Sequence, residues 1–315
     1  MKLTSLLPSS AAAIALLAGA PAIAQQSAPA PVEEEKVPAA EMELETAPGA
    51  PALWQVADED TTIYLFGTVH MLPDDVEWYS GPVREALTDA EALVTEIDMN
   101  PELAASMGAM VAEKGMLSDG QTLRDLMDED QRATFEAGLA KVGIPAAAFD
   151  TMEPWLASIA ILQIVTQASG FSDDKGVETV LEATVGEDVD RVALETIDFQ
   201  ISIFDELPLD QQVLYLLEGA EDPMEGIQIL NQLVAEWAEG DVDALGALMN
   251  EGFLSHPNLA EKLLYERNAN WAEWIDTRMD EPGNVFIAVG AGHLAGERSV
   301  QDYLAERGIT VTRVQ

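Results

Sequence analysis

Two of the three histidines in this 315-residue chain share one local setting. Ile63-Tyr64-Leu65-Phe66 runs into Gly67-Thr68-Val69-His70, and Val285-Phe286-Ile287-Ala288-Val289 runs into Gly290-Ala291-Gly292-His293. In each case a β-forming apolar stretch enters Gly-x-x-His. The glycine lets the backbone turn or approach a ligand closely where a strand leaves its sheet, and the histidine falls just beyond the strand end. Ligands collect beside such ends in α/β sheets. A lone strand-end histidine is more often capped or part of a core, whereas a repeated pair points to a function. His256, in Ser255-His256-Pro257, lacks this setting and reads as a helix-entry loop residue.

Glu96 is the third residue of interest, because it interrupts the apolar run Ala92 to Ile97, where an unpaired carboxylate is costly to bury. His70, His293 and Glu96 together suit a divalent transition metal such as Mn, Fe, Co or Zn, with coordination positions left for water or substrate. The plainer reading has Glu96 facing solvent or paired with an arginine. Arg267 and Trp271, four residues apart, share one helix face. The planar guanidinium can clamp a substrate carboxylate or an oxyanion, or it can pair with one of many acids. Glu195 ends a second strand-like run, Val192-Ala193-Leu194, and serves either the site or the start of the following helix. No His-Glu-x-x-His, Gly-x-Ser-x-Gly, phosphate-binding loop or cysteine nucleophile occurs. Too little chain follows Gly290-Ala291-Gly292 for a dinucleotide-binding unit.

These residues need strands to carry them. Leu53 to Val56 and Thr61 to Phe66 predict a hairpin across Asp58-Glu59-Asp60, and Ala92 to Ile97 a third strand. Helical spacing dominates from Pro101 to about Val185, including a largely apolar helix over Thr151 to Gln167. A strand returns at Val189 to Leu194, and helices then run from Gln200 to about Met279, broken at Leu207-Pro208 and Asp222-Pro223. Val285 to Val289, a helix around Ser299 to Arg307 and a strand Thr310 to Arg313 close the chain. Strands at both ends and helices between them predict one mixed α/β sheet whose edges are covered by a large helical insertion.

The N-terminus predicts export. Met1-Lys2, an apolar run around Ala11 to Ala20 and Pro21-Ala22-Ile23-Ala24 form a secretory signal over residues 1–24, cleaved after Ala24. Residues 25–51, rich in Ala, Pro and Glu, read as a disordered linker, and 52–315 as one domain. No later run is long enough to span a bilayer, so no stable membrane insertion is expected. The absence of cysteine excludes lipoprotein acylation and disulfides. A net charge of −42 repels nucleic acid and anionic lipid and attracts cations, although most of these carboxylates read as solvated surface.

Taken in order, Leu65-Phe66-Gly67-Thr68-Val69-His70-Met71-Leu72-Pro73, Val94-Thr95-Glu96-Ile97-Asp98, Gly176-Val177-Glu178, Leu194-Glu195-Thr196, Glu266-Arg267-Asn268 and Val289-Gly290-Ala291-Gly292-His293-Leu294 resemble the TraB/GumN family, related to the TIKI metalloproteases. The resemblance covers about Leu53 to Val314. It implies an erythromycin-esterase/ChaN-like α/β (α+β) fold with the site at the strand ends. It also implies a divalent metal, Mn or Co in preference to Zn or Fe, held by His70, His293 and Glu96. Arg267 would act with Glu96 in catalysis, and Glu195, Asn268 and Glu178 would support them. Glu178 stands where aspartate is more usual. The expected activity is hydrolysis of a peptide or small-molecule substrate in the periplasm or outside the cell, with Glu96 as ligand or general base. The competing expectation is a protein that captures haem, metal or peptide without turnover, since histidines and an arginine beside apolar helices also suit a haem and its propionates.

Overall fold

The computed structural model describes residues 49–79, 81–98, 101–118, 120–253 and 256–315. The export signal and nearly all of the linker lie outside the described residues. By Pro51 the chain is already buried, with its carbonyl accepting from Gln315 Nε2 at 2.7 Å.

Leu53–Ala57 (β1) and Thr61–Thr68 (β2) form the antiparallel hairpin predicted for them. Asp58 closes its turn, Oδ1 accepting from the amides of Asp60 and Thr61 at 3.1 and 2.8 Å. Ala92–Thr95 (β3), Asp190–Ala193 (β4), Gly283–Gly290 (β5) and Thr312–Arg313 (β6) complete a six-stranded mixed sheet in the order β4-β3-β5-β2-β1-β6. The pairs β4/β3, β3/β5 and β5/β2 are parallel, and β1 runs antiparallel to β2 and β6.

The central strands read as continuous apolar runs because both their faces are buried. Ile63 and Leu65 of β2, Val94 of β3 and Val285, Ile287 and Val289 of β5 point to one face. There they pack with Trp271 and Ile275 of a helix over Glu266–Arg278 and with Val300 and Leu304 of another over Val300–Glu306. Their alternates Phe66, Leu93, Phe286 and Ala288 join the larger core on the other face.

That larger core is built by α1 (Gly81–Thr88), α2 (Pro101–Lys114), α3 (Glu129–Lys141), α4 (Pro154–Ala168), α5 (Val177–Thr184), α6 (Ile197–Asp205), α7 (Leu209–Glu221), α8 (Pro223–Glu239) and α9 (Val242–Phe253). The helical insertion is therefore two blocks separated by β4, and they pack on each other where α4 and α3 meet α7. Their shared core lies against a face of the sheet. Pro208 and Pro223 begin α7 and α8 as predicted, with Asp222 capping α8 and Gly240 ending it at φ 70°. Helix α1 was not foreseen, although Val83, Ala86 and Leu87 have helical spacing and are buried.

After a short helix at Pro257–Ala260 (α10), Glu261–Tyr265 forms a π-helical turn that leads into Glu266–Arg278 (α11). The last helix, Val300–Glu306 (α12), starts on a Ser299/Asp302 capping box.

Candidate functional site

Four parallel neighbours, β4, β3, β5 and β2, end on the same side of the sheet. Each delivers a polar residue there: Glu195 two residues beyond β4, Glu96 directly after β3, Gly290 and then His293 from β5, and His70 beyond β2. Local sequence makes each exit. Thr196 caps α6, its hydroxyl accepting from the Phe199 amide at 3.2 Å, so the chain turns immediately after Glu195. Ala291–Leu294 coils into a 3₁₀ turn that buries His293 completely. The two Gly-x-x-His turns touch: a Cβ on Gly67 would lie 3.0 Å from the Ala291 Cα. Gly67 thus serves the approach of the two turns to each other.

Arg267, on α11, lies at the centre with no solvent exposure. Its Nη2 donates to Glu96 Oε2 at 2.6 Å and to Glu195 Oε2 at 2.9 Å, and its Nε to Glu195 Oε1 at 2.9 Å. Its Nη1 donates to the Leu263 carbonyl, in the π-helical turn, at 2.9 Å and meets His293 Nε2 at 3.1 Å. A guanidinium offers only donors, so His293 Nε2 accepts and carries no proton. The proton then sits on Nδ1 and is donated to Asn268 Oδ1 at 2.6 Å. The amide of Asn268 is oriented in turn by donation from Nδ2 to the Arg298 carbonyl at 2.8 Å. Arg298 holds a left-handed backbone at φ 58°.

The carboxylates are further saturated. Glu96 Oε1 accepts from the Gly290 amide at 2.7 Å, and Gln200 Nε2 donates to both Glu96 Oε2 and Glu195 Oε2, at 3.0 and 3.1 Å. Trp271 Nε1 donates to Glu195 Oε1 at 2.9 Å, and its ring stands 4.8 Å from the Arg267 guanidinium carbon and 4.3 Å from the His293 ring. Burial lifts the Glu96 carboxyl above the usual carboxylate range with help from Glu195, against the pull of Arg267, His70 and the Gly290 amide. For Arg267 burial works against the charge, but Glu96 and Glu195 overcome it and raise its proton affinity.

His70 stands at the rim. Its Nδ1 is 2.8 Å from Glu178 Oε1, and each side chain keeps about 25% exposure. The Val177 amide donates to the Val69 carbonyl at 3.0 Å, and a Cβ on Gly176 would collide with the His70 carbonyl, so α5 begins hard against the histidine turn. Burial alone would lower the His70 pKa, but Glu178, with Glu96 behind it, raises it to about 8. Burial likewise favours a protonated Glu178, and His70 reverses that and holds its carboxyl below the usual range. His70 Nε2 is buried and has no hydrogen-bond partner.

The structure thus brings together all the residues singled out from the sequence, in two groups. Glu96, Glu195, Arg267, Asn268 and His293 form a sealed network, and His70 with Glu178 forms a pair beside it. Glu96 follows its strand instead of interrupting it, and its partner is an arginine. Gln200 was not foreseen, since nothing in the sequence distinguishes it from any other helical glutamine. His256 is the residue before α10 and pairs with Glu218 at 2.7 Å, away from both groups.

A divalent cation needs unprotonated lone pairs turned to one point. His293 Nε2 and Glu96 Oε2 turn theirs to Arg267, and no group of three His, Asp or Glu among the described residues is arranged to hold a metal. As arranged, these residues do not fit the expected ion.

Fold and site define a class: an α/β protein whose polar centre lies at the carboxyl ends of parallel strands and is organised by a buried arginine between two glutamates and a histidine. The chain belongs to the TraB/PrgY/gumN family, which it matches over residues 52–313. No curated protein and no solved structure matches it.

Proposed function

We propose that this chain is an exported hydrolase of peptide or related acyl bonds, with His70 as the group that moves the proton. The observation that carries the reading is the His70 ring itself: Nδ1 is held by Glu178, while Nε2, buried beside Glu96, has no protein partner. A buried polar nitrogen without a protein partner is costly, and water or substrate can supply the missing one. In its neutral form His70 takes a proton from water on Nε2 as the water oxygen bonds to the scissile carbonyl carbon. Glu178 stabilises the imidazolium. When the carbon–nitrogen bond breaks, the same proton passes to the leaving amine. Glu96 lies in the sealed network and accepts from Arg267. Arg267 acts behind it as a positioning residue, because its burial keeps it from substrate.

A broad peptide library followed by mass spectrometry tests this. Cleavage should fall by about 10²- to 10⁴-fold in His70→Gln and less in Glu178→Gln. The wild-type rate should climb as pH rises toward about 8, where His70 loses its proton. A His70→Gln protein that cleaves as fast as wild type overturns the assignment. One observation favours the second reading, capture without turnover: the donors of Arg267 that would steady an oxyanion are engaged by the protein. Peptide retained by the wild type but never cut supports that reading.

A further inference from the structure

We propose that the cation of this site is Arg267 itself, so that Glu96, Glu195 and His293 bind no divalent metal while the arginine is present. The three groups have the composition of a metal site, two carboxylates and an imidazole. His293 Nε2 and Glu96 Oε1 lie 3.8 Å apart, close to the spacing of two ligands that share one ion at about 2.1 Å each. The positive charge they surround is the guanidinium. It meets Glu96 at 2.6 Å and Glu195 at 2.9 Å, and it occupies the one lone pair His293 can offer.

Most of the remaining lone pairs are taken from outside, by the amide of Gly290, the indole of Trp271 and the side-chain amide of Gln200. Arg267 is also fixed from behind. Leu263 accepts from Nη1, and Trp271 lies against the guanidinium. Entry of a divalent ion would place it against a buried guanidinium, at a Coulomb cost that the low-dielectric surroundings raise. Replacing the arginine by an uncharged side chain of similar length turns the same three groups into a ligand set of the two-carboxylate, one-histidine type.

The inference rests on the hydrolase reading only where it concerns turnover; its metal arm stands alone. Wild type, Glu96→Gln, His293→Gln and Arg267→Met are stripped with a chelator, exposed in turn to Mn²⁺, Co²⁺ and Zn²⁺, desalted and measured by elemental analysis, by Co²⁺ absorption and by thermal melting. Wild type should retain no more metal than Glu96→Gln and His293→Gln, whatever its surface acids bind loosely. Arg267→Met should gain about one equivalent per chain, a Co²⁺ absorption band and a metal-dependent rise in Tm.

About one equivalent in wild type that disappears in Glu96→Gln and His293→Gln overturns the proposal. So does an Arg267→Met protein that folds and takes up no more than wild type. If Arg267→Met fails to fold, the wild-type comparison decides alone. Peptide cleavage by chelator-stripped wild type agrees with the proposal. If no condition yields cleavage, the hydrolase reading fails and the metal measurements keep their meaning.

Discussion

Burial favours the neutral form of His70 and its partner Glu178 favours the charged one, and the partner wins. The sign of the resulting pH dependence follows. His70 binds its proton more tightly in the folded chain, with a pKa of about 8 against the usual 6.5, so its contribution is complete below pH 6.5 and is lost as pH rises through about 8. Glu178 is depressed from 4.5, so its contribution is complete above that value and is lost as pH falls through the lowered one. The stability gap between wild type and His70→Gln should therefore be widest between about pH 4.5 and 6.5, at most on the order of 2 kcal/mol, and should close on both sides. Urea denaturation over a pH series measures it, and a gap that stays constant shows that the pair carries no such charge. His293, with the same Gly-x-x-His signature, makes a contrast. Its acceptor nitrogen is committed to Arg267, so it serves as part of a scaffold.

Strand ends and helix starts position these residues, and a small number of backbone approaches decide whether they meet. The sharpest is Gly176 against the His70 carbonyl. Gly176→Ala must push α5 away from the turn after β2, so Glu178 loses its place opposite Nδ1. A cost of about 1–3 kcal/mol is expected, together with a fall of the His70 pKa toward 6.5, read by denaturation and by NMR titration of the ring. An unshifted titration would show that the contact relaxes without moving Glu178. Much at this scale was legible in the sequence, because β-rich runs ending in Gly-x-x-His carry their own periodicity and punctuation. Glu96, Glu195 and Arg267 could be named for the same reason, as charges on apolar elements. Their mutual pairing could not be read, since it depends on β3, β4 and α11 meeting in space from distant parts of the chain. Gln200 and the π-helical turn left no signal, because a helical glutamine and one extra residue in a helical turn look like ordinary helix. The helices expected at the sheet edges form a core against a face, which periodicity within one helix cannot tell.

With 57 acidic and 15 basic side chains, the whole molecule repels itself. Raising NaCl from 0.01 to 0.15 M shortens the screening length from about 30 to about 8 Å, so Tm should rise by a few degrees. The buried Arg267 network should not contribute to that rise, being shielded from the added ions. A Tm that is flat across this range would mean that local pairing already neutralises the field. The strand order has a further consequence. β5 stands between β3 and β2, yet it is formed from residues 283–290. A nascent chain, made from its amino end, holds the β1–β2 hairpin and the β3–β4 pair as two fragments with no ladder between them until that late segment arrives. The joining strand is made after every other strand but β6. A ribosome stalled ahead of it would display two half-sheets whose β2 and β3 edges carry unpaired backbone N–H and C=O groups, so the sheet closes only when most of the chain has been made.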